Sequence, residues 1–329
     1  MSDEQKNKDV EDKDMEQTEA PIDPSSNEEK SVFTSGLLAS LFDRAAKVSA
    51  KAKRENPPLD SDEIEKAVLN NMNKPQGIAA PHKLRLAFLG GGSFGTAMSN
   101  LAARNGCDST LWVRNKRTVK SLQKTRINKK YLPGYTLDER LKYEHDLKEA
   151  VQNKDVIFVA VPSSAFRETL KNIRPYLSGQ SIVSLTKGME KDTFSLMSDI
   201  IKEELPEVNF GVMSGPNLAV EIMQNMPSAS VIASDSELLR HAVQSALHSA
   251  FFRIFASDDI KGVELGGALK NIYAIAMGMA ASYNVGENTK AMLLTRALAE
   301  MSRFGVASGA NPLTFLGLSG VGDLYATCS

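Results

Sequence analysis

The sequence predicts an α/β fold, in which a wound parallel sheet comes first and an all-α region follows. Three observations lead there. Short apolar runs alternate with helical stretches from Lys83 to about Ser257, the pattern of strands joined by crossover helices. A glycine-rich turn links the first of these runs to the first helix. From Ile260 onward the periodicity is helical only. The chain has 329 residues, enough for two domains and an extension. The expected division is an extension over 1–82, a sheet domain over 83–258, and the start of a helical substrate or catalytic domain over 259–329.

Within the extension, residues 1–30 carry eleven acidic and four basic side chains and no aromatic. Such a segment cannot bury enough surface to offset ordering entropy and is expected to be a disordered tail. Phe33, Leu37, Leu38, Leu41, Phe42, Ala45 and Val48 then recur at helical spacing, followed by Arg44, Lys47, Lys51, Lys53 and Arg54. This amphipathic stretch over 31–54 suits docking on the chain's own body, with a weak contact to an anionic membrane surface as the alternative. Pro57 and Pro58 break the pattern, a short helix is expected over 61–71, and a second linker ends near Pro81. In the body, strands are expected at 84–89, 109–113, 156–161, 181–186, 210–214, 229–233 and 252–256. Helices are expected from Ile260 to about Tyr283, from Asn288 to Phe304, and from Leu313.

Bulk properties exclude several classes. A net charge of −1 provides no basic field for nucleic acid. Cys107 and Cys328 lie far apart and form no metal-ligand pattern, and so few cysteines fit a reducing cytoplasm. The four histidines are scattered and read as structural or solvated, so no metal is expected. No uninterrupted apolar run is long enough for a membrane span.

The first strand runs directly into Gly90-Gly91-Gly92-Ser93-Phe94-Gly95, with a helix starting at about Thr96 and a second strand at Ser109. That context makes this GxGxxG motif a dinucleotide signature, and the sheet domain a Rossmann-type dinucleotide-binding domain. Gly90 permits the tight turn, Gly92 lets the backbone approach a pyrophosphate, and Gly95 packs helix against strand. After the second strand, an NAD site usually places an acid for the ribose hydroxyls. This chain has Arg114-Asn115-Lys116-Arg117, which suits the extra phosphate of NADP over NAD.

Lys270 is the only charged residue between Leu265 and Gly286. A helix apolar on every face belongs inside a protein. An ammonium there is costly unless paired, for instance with Glu264 or Asp323, or required by function. A lysine desolvated by apolar neighbours and close to a second cation, such as Lys187, loses proton affinity and can exchange a proton near neutrality. Lys270 is therefore the leading candidate for chemistry.

Several segments together resemble the bacterial type of NAD(P)-dependent glycerol-3-phosphate dehydrogenase. They are Gly90–Gly95, Asn128-Lys129-Lys130-Tyr131-Leu132-Pro133-Gly134, Val161-Pro162-Ser163, Leu185-Thr186-Lys187-Gly188, Ser214-Gly215-Pro216-Asn217, Val263–Asn271 and Gly320-Val321-Gly322-Asp323-Leu324. They run in family order from about Lys83 to the end and leave 1–82 unmatched. The resemblance implies reversible reduction of dihydroxyacetone phosphate to sn-glycerol 3-phosphate, for glycerophospholipid synthesis. It also implies that Lys270 is the proton donor and acceptor, that Lys187 lies near nicotinamide and substrate, and that Asp323 holds substrate and lysine. Ser93, Phe94, Arg114, Lys187 and Ala219 match cofactor contacts, and Gly215, Asn217 and Asn271 line the substrate side. A cytoplasmic enzyme, homodimeric at full length, is expected.

In the family a Ser-Arg-Asn element follows shortly after the point where this chain ends, and its arginine contacts substrate phosphate and cofactor. Loss of such a charge-assisted contact costs about 1.5–3 kcal/mol. The sequence-based expectation is thus a C-terminally truncated chain with weak or no turnover and a tendency to aggregate. Two other readings stay open. One is a 3-hydroxyacid or 6-phosphogluconate-type dehydrogenase, against which the Lys-Tyr-Leu-Pro-Gly and Ser-Gly-Pro-Asn segments argue. The other is a non-catalytic NADPH-binding module.

Overall fold

The computed structural model describes residues 83–328, which lie within one compact unit, Ile78–Ser329. The expectations for the acidic tail, the amphipathic 31–54 stretch and the 61–71 helix fall outside the described residues.

Eight strands form one sheet in the order β3-β2-β1-β4-β5-β6-β7-β8. They are β1 (Arg85–Leu89), β2 (Asp108–Trp112), β3 (Lys142–Glu144), β4 (Val156–Val159), β5 (Ser181–Ser184), β6 (Phe210–Ser214), β7 (Ser228–Ala233) and β8 (Phe252–Ser257). The central strands are covered on both faces, so β1 and β4 read as continuous apolar runs rather than alternating ones. Phe88 and Phe158, paired across β1 and β4, stack with ring centroids 4.5 Å apart. Helices α1 (Ser93–Arg104), α2 (Lys116–Thr125), α3 (Leu147–Val151), α4 (Ser163–Ile173), α5 (Met197–Glu204), α6 (Ala219–Met223) and α7 (Glu237–Leu247) are threaded between the strands.

The sheet differs from the sequence expectation in two respects. β3 was not foreseen: its Lys-Tyr-Glu has no apolar run, and it exists because it pairs with Thr110–Trp112 of β2. The sheet is also not wholly parallel, because β7 runs antiparallel to β6 and β8 follows β7. Between β6 and β7 lies only a short connection with the five-residue α6. The antiparallel register sets Val212 against Ala233 and Ser214 against Val231.

Helical structure takes over at α8 (Ile260–Ser282), followed by α9 (Glu287–Ala307), a 3-10 segment (Pro312–Leu316), a π-helical turn (Leu318–Gly322) and α10 (Asp323–Cys328). Asp259 caps α8 by accepting from Gly262 N at 3.0 Å. Its other oxygen accepts from Asn311 N and Thr314 Oγ1, stapling the start of α8 to the 3-10 segment. The first half of α8 is buried, with Val263, Leu265 and Leu269 in the core. The second half departs from the expectation of a fully interior helix. Ile272, Ile275 and Met279 are 60%, 67% and 60% exposed, because among the described residues α9 and α10 cover only part of its circumference.

Gly266 of α8 lies under the π-helical turn. A Cβ there would stand 2.2 Å from the Ser319 carbonyl oxygen. Gly266→Ala should therefore destabilise the protein by about 1–3 kcal/mol through overpacking, read as a lowered urea midpoint. An unchanged midpoint would show that the turn can move aside freely.

Candidate active site

The carboxyl ends of β1, β4, β5 and β6 hold consecutive loops along one edge of the sheet. The strand order reverses between β1 and β4, where open α/β sheets bind ligands. Gly90 has φ +131°, and a Cβ on it would meet the Ala160 carbonyl at 2.3 Å. A Cβ on Gly95 would meet the Gly90 carbonyl oxygen at 2.2 Å and Ala160 Cβ at 3.1 Å, so helix, loop and β4 are in close contact. Gly92, by contrast, has open space around it. It also caps α1 without any side-chain hydrogen bond. The first-turn N–H groups near Ser93 and Phe94 are thus suited to an anion such as a dinucleotide pyrophosphate. The residues fit that group.

Asn115 caps α2, its side chain accepting from Arg117 N and Thr118 N. The position where an acid might read a ribose is therefore engaged in capping, and Arg114 and Arg117 are exposed beside it. Ala219 opens α6, which packs against α1.

The chemistry-bearing groups meet at Asp323. This aspartate is 1% exposed at the start of α10, where its charge also suits the helix dipole. Lys270 Nζ donates to Asp323 Oδ1 and, at 2.8 Å, to Thr327 Oγ1. Lys187 Nζ donates to Asp323 Oδ2 at 2.5 Å and to the Gly215 carbonyl at 3.2 Å. Ser214 Oγ lies 3.4 Å from the same carboxylate. Of the two pairing partners open to Lys270 from the sequence, the structure selects Asp323. Burial pushes the Lys187 ammonium down, to about 8; Asp323 pulls it back up, and the neighbouring charge on Lys270 adds to the fall.

Lys187 is positioned by the end of β5. Thr186 Oγ1 donates to the Val161 carbonyl at 2.7 Å, tying this loop to the one after β4. Gly188 follows with φ +132°. Gly215 lies close against β7, where a Cβ would stand 3.0 Å from the Ala229 carbonyl oxygen and 3.1 Å from Asn217 Nδ2. Asn217 Nδ2 donates to Ser230 Oγ at 3.1 Å, while Asn217 Oδ1 is buried without a partner among the described residues. That oxygen is an acceptor which a ligand N–H or O–H could satisfy. Asn271 is exposed next to Lys270 and is not brought into the Asp323 cluster.

Sequence reasoning did not single out Thr327 or Ser214. Thr327 was legible in principle, since it lies four residues after Asp323 and its Oγ1 donates back to the Asp323 carbonyl at 2.7 Å. Glu264 was read only as a partner for Lys270. It points the other way: its carboxylate accepts from Ser198 N at 3.0 Å and Ser198 Oγ at 2.5 Å at the start of α5. Burial raises it to about 7, against the lowering effect of the Ser198 hydrogen bonds.

A glycine-rich strand-to-helix turn and a lysine–aspartate–lysine centre on one sheet edge define a nucleotide-dependent oxidoreductase of the α/β class. A family model described as NAD-dependent glycerol-3-phosphate dehydrogenase N-terminus matches residues 85–239, and its C-terminus counterpart matches 259–329. A glycerol-3-phosphate dehydrogenase [NAD(P)+] from Psychrobacter cryohalolentis is 75% identical over 293 residues, covering 89% of this chain and 67% of the relative. One from Acinetobacter baumannii is 65% identical over 256 residues, covering 78% of this chain and 72% of the relative. The crystal structure of glycerol-3-phosphate dehydrogenase from Coxiella burnetii has a TM-score of 0.73 at 38% identity, covering 76% of this chain and 77% of that one. The chain belongs to the NAD-dependent glycerol-3-phosphate dehydrogenase family.

The folded Glu264 value of about 7 lies above its ordinary 4.5. Between these values the folded protein holds the extra proton, so stability from the neutral acid is full below about 4.5 and declines as pH rises through about 7. Glu264→Gln should flatten that decline, seen by comparing urea midpoints at about pH 5 and about pH 8. A variant with the wild-type pH slope would remove Glu264 as its source.

Proposed function

We propose that this protein reversibly reduces dihydroxyacetone phosphate to sn-glycerol 3-phosphate with NADPH or NADH, in the cytoplasm, for glycerophospholipid synthesis. The observation that carries the reading is the Asp323 carboxylate shared by Lys270 and Lys187, beside the sheet edge that bears the phosphate loop. The names of the relatives support the same reaction. Both cysteines are free, as a reducing compartment allows. No described helix is long and apolar enough to cross a membrane.

The dinucleotide, when bound, supplies the hydride. Gly92, Ser93 and Phe94 would hold its pyrophosphate, with Gly90 and Gly95 shaping the turn that presents them. Arg114 would favour NADPH through the extra phosphate, and Ala219 and Lys187 would border the nicotinamide side. Two ammonium groups against one carboxylate leave one net positive charge, which attracts a phosphorylated substrate and stabilises a developing alkoxide. Lys270 Nζ donates the proton to the carbonyl oxygen as reduction proceeds, and accepts it in reverse. Asp323 and Thr327 fix that ammonium, which limits its loss of alignment when substrate arrives. Lys187 sets its charge against the carbonyl or the phosphate. Gly215 and Asn217 line the substrate side, Asn217 through its unpartnered Oδ1.

Lys270→Ala should lower turnover by about 10²–10⁴-fold. The measurement is NADPH oxidation driven by dihydroxyacetone phosphate under single-turnover conditions, with protein in excess so that slow chemistry registers. Activity surviving the substitution would sink the mechanism. NADPH binding without turnover in a chain extended to the full length of its relatives would favour the non-catalytic module instead. Because the Lys187 cation is present below about 8 and lost above it, kcat/KM for dihydroxyacetone phosphate should fall as pH climbs through that value. Lys187→Arg should move that limb to higher pH; a limb that stays in place belongs to another group.

A further inference from the structure

The loop that holds the pyrophosphate is itself held from outside. Asn128, 2% exposed, reaches in from the Asn-Lys-Lys-Tyr-Leu-Pro-Gly segment and spends both hydrogens of its amide on it. Nδ2 donates to the Gly91 carbonyl at 3.0 Å and to Thr96 Oγ1 at 2.9 Å. These two partners bracket Gly92–Gly95, one just before the open stretch and one in the first turn of α1.

The Gly91 contact matters most, because a trans peptide is planar. Fixing the direction of the Gly91 carbonyl fixes the Gly92 N–H in the opposite direction. A peptide between two glycines rotates as a unit at little steric cost. Without a partner for that carbonyl, the peptide could turn its oxygen toward an arriving anion and its N–H away. Val113 limits the space on the other side, since a Cβ on Gly91 would lie 2.7 Å from Val113 Cγ2. Asn128 supplies the hydrogen bond that selects one orientation.

Asn128 is well supported for this task. The Asn128 backbone carbonyl accepts from Leu132 N at 2.8 Å and Tyr131 N at 3.2 Å, Leu137 N donates to the Arg126 carbonyl at 2.8 Å, and Ile127 bridges Thr136. Leu132 and Leu137 are buried in the core beneath. The segment therefore keeps its place without the amide.

We propose that Asn128 is a positioning residue for dinucleotide binding, acting by holding the Gly91–Gly92 peptide with its N–H available to the pyrophosphate. This rests on the cofactor reading given above. Its test is an NADPH fluorescence titration of the 329-residue protein, its Asn128→Ala variant and its Asn128→Asp variant. The dissociation constant should rise about tenfold in Asn128→Ala. It should rise at least as much in Asn128→Asp, which keeps the shape but replaces the donors by an acceptor facing a carbonyl. Affinity for adenosine 2′-monophosphate, which has no pyrophosphate, should change less than about twofold in either variant. Unchanged NADPH affinity would overturn the proposal. So would recovery of wild-type affinity in Asn128→Asp, or an equal loss of both ligands, since either assigns Asn128 to packing alone. A wild-type protein that fails to bind NADPH would instead overturn the cofactor reading, and this inference with it.

Discussion

One buried carboxylate joins the two kinds of structure in this chain. Asp323 belongs to the helical part, Lys187 to the sheet, and Lys270 to the helix that follows the sheet. An aspartate that is 1% exposed is tolerable only because two ammonium groups and a serine hydroxyl surround its carboxylate. The same condition places both lysines within reach of a single point. Removing the carboxylate would leave two cations facing each other with little water, so the cluster is a structural constraint before it is a catalytic one.

The surrounding fold can be understood as the scaffold for that constraint. Lys187 reaches Asp323 because β5 ends beside β6, whose own end supplies the Gly215 carbonyl. Lys270 reaches it because Gly266 and Gly267 let α8 lie against Ser319 and Ser214. Cβ contacts of 2.2 and 2.6 Å at these two positions leave no room for any other residue without movement. Glu264, on the same helix, ties the other side of α8 to the start of α5. The lysine-bearing turn of α8 is thus gripped from two directions, while the half beyond Asn271 is largely exposed.

The phosphate loop obeys a similar logic with neutral groups. Gly90 and Gly95 admit close contacts, and Asn128 holds the peptide between them. Backbone N–H groups bind anions well only when they cannot turn away. A loop rich in glycine therefore needs external support, and here a loop distant in sequence provides it.

Much of this was legible in the sequence. Seven of the eight strands were foreseen because buried parallel strands are short apolar runs between turns, a local signal. Lys270 stood out because one charge in an apolar helix is anomalous wherever the helix lies, and Gly90–Gly95 because its spacing carries its own mechanism. Tertiary structure alone decided the rest. β3 has no apolar pattern and is made a strand by its neighbour, and the reversal of β7 shows only in its pairing with β6. The choice of Asp323 over Glu264 for Lys270 turned on which way each side chain points from elements distant in sequence. Spacing along a chain determines local conformation and marks unusual charges, but burial and pairing depend on contacts between distant residues, and those exist only once the chain has folded.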